Sequence, residues 1–156
     1  WIEGTPNELA QAIAEWDLIL INDQEARELS GEYDLRRAAQ HICASGPKTV
    51  VIKRGEYGAL LFDSSGYFVA PGFLLETVLD PTGAGDSFAG GFMGYLAEEG
   101  LSSIAEASDS QLRKAVIYGS VMGSFCCEQF GVGRLRTLTR NDIEQRVEEF
   151  RTLTQF

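Results

Sequence analysis

The sequence predicts an α/β fold with a mostly parallel sheet, and three observations carry that prediction. Leu18-Ile19-Leu20-Ile21 and Thr49-Val50-Val51-Ile52 are continuous apolar runs of strand length, the pattern of strands buried on both faces. The residues between them have helical periodicity, as expected of a crossover joining parallel strands. Three polar or glycine-rich stretches, Asn22–Glu25, Lys53–Gly58 and Asp80–Asp86, follow strand-like runs. Open parallel sheets bind ligands at such carboxyl ends.

The elements follow in order. Residues 7–16 read as a helix, with Asn7 as its cap and Leu9, Ile13 and Trp16 at helical spacing. After the first apolar run, Asn22-Asp23-Gln24-Glu25 opens a helix toward Leu29 that Gly31 ends. Residues 34–45 form the next helix, with Leu35, Ala38, Ala39 and Ile42 on one side and Gly46-Pro47 closing it. Beyond the second run, Lys53-Arg54-Gly55-Glu56-Tyr57-Gly58 is a glycine-marked strand exit. Residues 59–63 and 67–71 read as a β-hairpin around Ser64-Ser65-Gly66. Thr77-Val78-Leu79 leads to Asp80, and helices follow over 86–99, 109–127 and 140–153, the last capped by Thr139 with Ile143, Val147 and Phe150 on one face.

A length of 156 residues is enough for one domain, 1–156, with its own core. The net charge of −10 argues against nucleic acid or an anionic membrane as partner. A phosphate ligand stays open, because backbone amides make a local site for it. No apolar run approaches bilayer-spanning length. Three cysteines, two of them adjacent, fit a reducing compartment, read as the cytoplasm. The lone histidine, His41, reads as structural or surface. The chain opens at Trp1, not Met, and is expected to be a piece of something longer.

The richest chemistry lies in Asp80-Pro81-Thr82-Gly83-Ala84-Gly85-Asp86-Ser87-Phe88-Ala89-Gly90-Gly91. Pro81 stops the preceding element, and Gly83 and Gly85 permit a sharp turn. The turn 83–86 sits at a helix N-terminus, whose unsatisfied amides and dipole favour an anion. Two roles for Asp86 stay open on spacing alone: a cap for those amides, or a base that takes a proton from an attacking hydroxyl. Asn22 and Glu25 suit either a capping box or oxygen ligation of Mg²⁺, directly or through water. Lys53 reads as a phosphate-binding point charge or a solvated strand end. Gly55 and Gly58 read as a nucleotide approach or an ordinary turn. The Cys126-Cys127 pair is expected to pack in the core. No G-x-x-x-x-G-K-[ST] and no G-x-G-x-x-G after an early strand is present.

The 80–91 stretch resembles the second signature of the ribokinase-like family, the phosphofructokinase-B type of sugar and nucleoside kinases. Asn22-x-x-Glu25 is similar to the family's N-x-x-E motif, and Lys53-x-Gly55-x-x-Gly58 to its nucleotide-binding strand exit. The stretch 119–138 is similar to its closing helix and loop.

The resemblance implies a three-layer α/β/α fold and the C-terminal portion of a longer kinase. It also implies ATP and Mg²⁺ as cofactors and a sugar or nucleoside alcohol as acceptor. Asp86 is then the base, and Gly83, Ala84 and Gly85 form the anion hole. Lys53, Gly55 and Gly58 serve the nucleotide, and Asn22 and Glu25 the magnesium. Asp80 and Thr82 serve a monovalent cation such as K⁺. The family's first glycine-rich signature, most acceptor contacts and its lid are not in this sequence. These residues alone are therefore expected to be inactive, and homodimerisation is expected of the full-length parent. A non-catalytic nucleotide-binding or regulatory module is the alternative. An NAD(P)-type oxidoreductase is a remoter one, set against Asp86 facing a pyrophosphate.

Overall fold

The computed structural model describes residues 4–155; Trp1 and Ile2, at which the chain opens, lie outside them. Contacts group the chain into two units, Trp1–Gly55 with Ala59–Val69, and Glu56–Gly58 with Ala70–Phe156.

The first unit carries the sheet. Helix α1 (Pro6–Ile13) begins at Pro6, with Thr5 and not Asn7 in the cap position. Proline's fixed φ and missing donor suit the first helical position, so it sets the boundary one residue before Asn7. The helix ends at Ile13, short of the expected Trp16. Strand β1 (Leu18–Asn22) follows, then α2 (Asp23–Ser30), closed by left-handed Gly31 as its sequence predicts. Helix α3 (Leu35–Ala44) bears His41 exposed on its last turn. Strand β2 (Thr49–Lys53) then pairs parallel with β1, Ile19 against Val50 and Asn22 against Lys53.

Strand β3 (Ala59–Asp63) returns antiparallel to β2, and β4 (Gly66–Ala70) completes the order β1-β2-β3-β4. The sheet is thus mixed. Its parallel part is the β1–β2 pair with the α2–α3 crossover, and the hairpin adds the antiparallel part. Asp63 shapes the hairpin turn, its Oδ1 accepting from the Ser65 amide and hydroxyl at 2.7 Å each.

Alternation along the strands sorts the faces. Ile19, Ile21, Val50, Ile52 and Phe62 join Ala26 of α2 and Ala38, Ala39 and Ile42 of α3 in one core cluster. The opposite face carries Val51 and Leu61, buried as well.

The second unit is helical. Helix α4 (Ala84–Glu98) packs along α5 (Asp109–Cys126), and α6 (Arg140–Thr154) packs on α5. The α4–α5 approach is close. A Cβ on Gly91 would stand 2.6 Å from the Tyr118 carbonyl oxygen, and one on Gly119 would stand 2.9 Å from that of Phe88. Capping boxes start α5 (Ser108 with Gln111) and α6 (Thr139 with Asp142).

Val121, Phe125 and Phe150 form this unit's cluster. Arg146 of α6 lies over the Phe125 ring at 3.5 Å and the Phe73 ring at 4.7 Å. Its guanidinium donates to Glu128 at 2.6 Å, and Glu128 also accepts from Arg134 at 3.1 Å. The loop after α5 is therefore tied down on both sides of residue 131. No described helix is long and apolar enough to cross a membrane.

Candidate active site

The second unit builds its site at the N-terminus of α4. The Ala84 amide donates to the Pro81 carbonyl at 3.1 Å, and Gly83 between them has φ 81° and ψ 0°. That is a type II turn with Thr82 and Gly83 at its centre, and the positive φ at its third position favours glycine. The helix starts at Ala84, two residues before the position that its periodicity suggested.

After Ala84, the next amide to bond back into the turn is that of Ser87, reaching the Gly83 carbonyl at 2.8 Å. Among the described residues, the amides of Gly83, Gly85 and Asp86 have no acceptor. Ala84, expected in the anion hole, spends its N–H inside the turn. Asp86 takes a place that sequence reasoning did not give its amide. Three free donors thus lie at the positive end of a fifteen-residue helix, an environment that favours an anion.

The Asp86 side chain is exposed at the third helical position and makes no capping bond. Its carboxylate has no hydrogen-bond or ion-pair partner among the described residues. Of the two roles left open by spacing, the cap is not the one seen.

Asp80 anchors the turn. Its Oδ1 accepts from the Thr82 amide at 3.0 Å and its Oδ2 from the Gly131 amide at 3.2 Å. The Thr82 amide first, then the Thr82 side chain and the Gly131 amide, hold its carboxyl below the ordinary carboxylate value. The Cys127 carbonyl accepts from the amides of Leu79 (2.9 Å) and Asp80 (3.4 Å). Cys126, buried as expected, also donates its thiol to the Thr82 carbonyl at 3.4 Å. Sequence reasoning missed Cys126, Cys127 and Gly131 as partners of the turn. They lie 44 to 51 residues from it, and no spacing pattern encodes such contacts.

The first unit places Asn22 and Lys53 side by side at the carboxyl ends of β1 and β2. Asn22 and Glu25 form a capping box. Asn22 Oδ1 accepts the Glu25 amide at 2.7 Å, and the Asn22 amide donates to Glu25 Oε2 at 2.9 Å. Glu25 Oε1 has no hydrogen-bond or ion-pair partner among the described residues. Lys53 has no ion-pair partner among the described residues. Gly55 starts a 3-10 turn with open space at its Cβ position.

Gly58, in the second unit, is glycine for its own backbone's sake. A Cβ there would stand 2.1 Å from the Ala70 carbonyl oxygen. No group of three or more His, Cys, Asp or Glu among the described residues is placed to hold a metal.

Residues 1–138 match the pfkB family carbohydrate kinase model. A cytidine kinase of Thermococcus kodakarensis is 40% identical over 89 residues, 56% of this chain and 32% of that protein. A probable fructokinase-5 of Arabidopsis thaliana is 29% identical over 118 residues, 75% of this chain and 35% of that protein. The chain thus spans about a third of the length of these curated relatives. The aminoimidazole riboside kinase of Salmonella enterica, solved with aminoimidazole riboside and an ATP analogue, superposes with TM-score 0.80 at 24% identity, over 94% of this chain and 47% of that one. That likeness shows a ribokinase-like α/β fold.

Proposed function

The chain belongs to the pfkB family of carbohydrate kinases, and from that premise we propose that it takes part in ATP-dependent phosphoryl transfer to an alcohol group of a sugar or nucleoside. One observation carries the reading: the unpartnered Asp86 carboxylate stands beside the free amides of Gly83, Gly85 and Asp86. An anion site next to a free base is what this reaction requires. As the acceptor oxygen bonds to the γ-phosphorus, its proton passes to Asp86. The bond between that phosphorus and the β,γ-bridging oxygen breaks, and ADP leaves with that electron pair. The three amides hold the γ-phosphoryl oxygens while charge shifts across them. Lys53 supplies a point charge for the nucleotide phosphates, and Gly55 leaves its backbone open to them.

Mg²⁺ supplies neutralisation of the phosphate charge. Asn22 and Glu25 fit an ion carried on the nucleotide and reached through water, because Glu25 has one oxygen free and no described three-carboxylate cage exists. Asp80 gives both oxygens to amides, which fits an organiser of the turn better than a ligand of a monovalent cation. We read 1–156 as the nucleotide and catalytic-base portion of a longer cytoplasmic kinase that acts as a homodimer.

Asp86→Asn keeps size and polarity but removes the base. Turnover should fall by about 10³, within the range of general-base losses, while ATP binding changes little. Steady-state kinetics on the full-length protein, with ATP titrated by calorimetry, check this; turnover near wild type would overturn the assignment.

A further inference from the structure

The α4 turn has a feature that the phosphotransfer reading does not by itself explain: its central peptide is held from outside the turn. Type I and type II turns differ mainly by a flip of the peptide between their second and third residues. Here that peptide joins Thr82 to Gly83. Its C=O and N–H point in opposite directions, because a trans peptide is planar. Whichever way the Thr82 carbonyl faces, the Gly83 N–H faces the other. The carbonyl faces α5, where the Cys126 Sγ–H meets it at 3.4 Å. The Gly83 N–H is thereby turned outward, one of the three amides without an acceptor.

The surroundings leave this thiol few alternatives. Cys126 is 3% exposed, and its sulfur would be the nearest atom, at 3.7 Å, to a Cβ on Gly83. The next residue's carbonyl accepts the Leu79 and Asp80 amides, so the end of α5 is fixed against the strand of chain entering the turn. The helix start is pressed close too, since a Cβ on Gly123 would stand 3.2 Å from the Ala84 carbonyl oxygen. The thiol therefore meets a carbonyl whose flanking residues are already held in place.

We propose that Cys126 is a positioning residue for phosphoryl transfer, a latch that fixes the Thr82–Gly83 peptide so that the Gly83 N–H faces the transferred phosphoryl group. The proposal rests on the phosphotransfer reading, so its test includes a readout independent of activity. In Cys126→Ala the latch is gone, and kcat/KM for ATP should fall about tenfold, less than the 10²–10³ lost when an oxyanion donor is removed outright. The Gly83 amide and Thr82 carbonyl resonances of the intact protein should move together, as a flipping peptide requires. Cys126→Ser keeps a donor and should recover most of both signals. Cys43→Ala, on α3 of the first unit, removes a thiol with no bond to the turn and should match wild type. Unchanged resonances and kinetics in Cys126→Ala would overturn the latch, as would a serine variant no better than the alanine. If the full-length wild-type protein transfers no phosphate, the phosphotransfer reading fails and the resonances alone decide the latch.

Discussion

Asp80 and Asp86 close the two ends of the same turn in opposite electrostatic circumstances. Among the described residues Asp86 has no partner, whereas Asp80 is fully engaged by the Thr82 and Gly131 amides. Those bonds hold the Asp80 carboxyl below its ordinary value. A group whose folded pKa is depressed stabilises the fold above its unfolded pKa and loses that contribution as pH falls through the folded value. The acid limb of stability below about pH 4 should therefore carry an Asp80 component. Asp80→Asn should flatten that limb, because the amide cannot titrate and accepts with only one oxygen. Thermal melts of both proteins from pH 2 to 7 check this. An unchanged acid slope would mean that the two amide bonds are not maintained in solution.

The α4–α5 pair places the turn, and its glycines have unequal duties. Gly91 lies where any Cβ would strike the Tyr118 carbonyl oxygen, while a Cβ on Gly94 would meet nothing within 4 Å. Gly91→Ala should destabilise by about 1–3 kcal/mol, the usual cost of overpacking against atoms that cannot move aside. Gly94→Ala should stabilise by about 0.5–1 kcal/mol through helix propensity. Chemical denaturation of the two variants gives the contrast, and equal effects would contradict the packing.

Elements of this kind were largely legible in the sequence. The Asn22 and Thr139 caps, the Gly31 stop, the β1–β2 runs and the 80–86 turn depend on neighbours a few residues away, and local chemistry fixes them. The antiparallel return of β3 was not legible, since an apolar run carries no direction. Nor was the Ala84 start of α4, because its first turn presents two small residues and no periodic apolar mark. The Cys126–Thr82 bond was hidden for a different reason: it joins residues that only the packing of α5 on α4 brings together.

At the scale of the whole molecule the charge balance is adverse to the proposed ligand, with 23 acidic against 13 basic side chains. A polyanion approaching such a surface is repelled, and the repulsion is screened over a Debye length of about 10 Å at 0.1 M salt. Under the proposed reading the phosphate contact is local, made by the free amides at the α4 N-terminus without a supporting basic field. Two kinds of competitor separate this arrangement from a basic patch. Pyrophosphate is small enough to reach the turn and should compete with ATP. Duplex DNA at 50 mM salt should leave kcat/KM for ATP unchanged, since it meets the net negative surface before any amide. Inhibition by DNA that fades as salt is raised would instead reveal a cationic surface and would displace the turn as the main anion site.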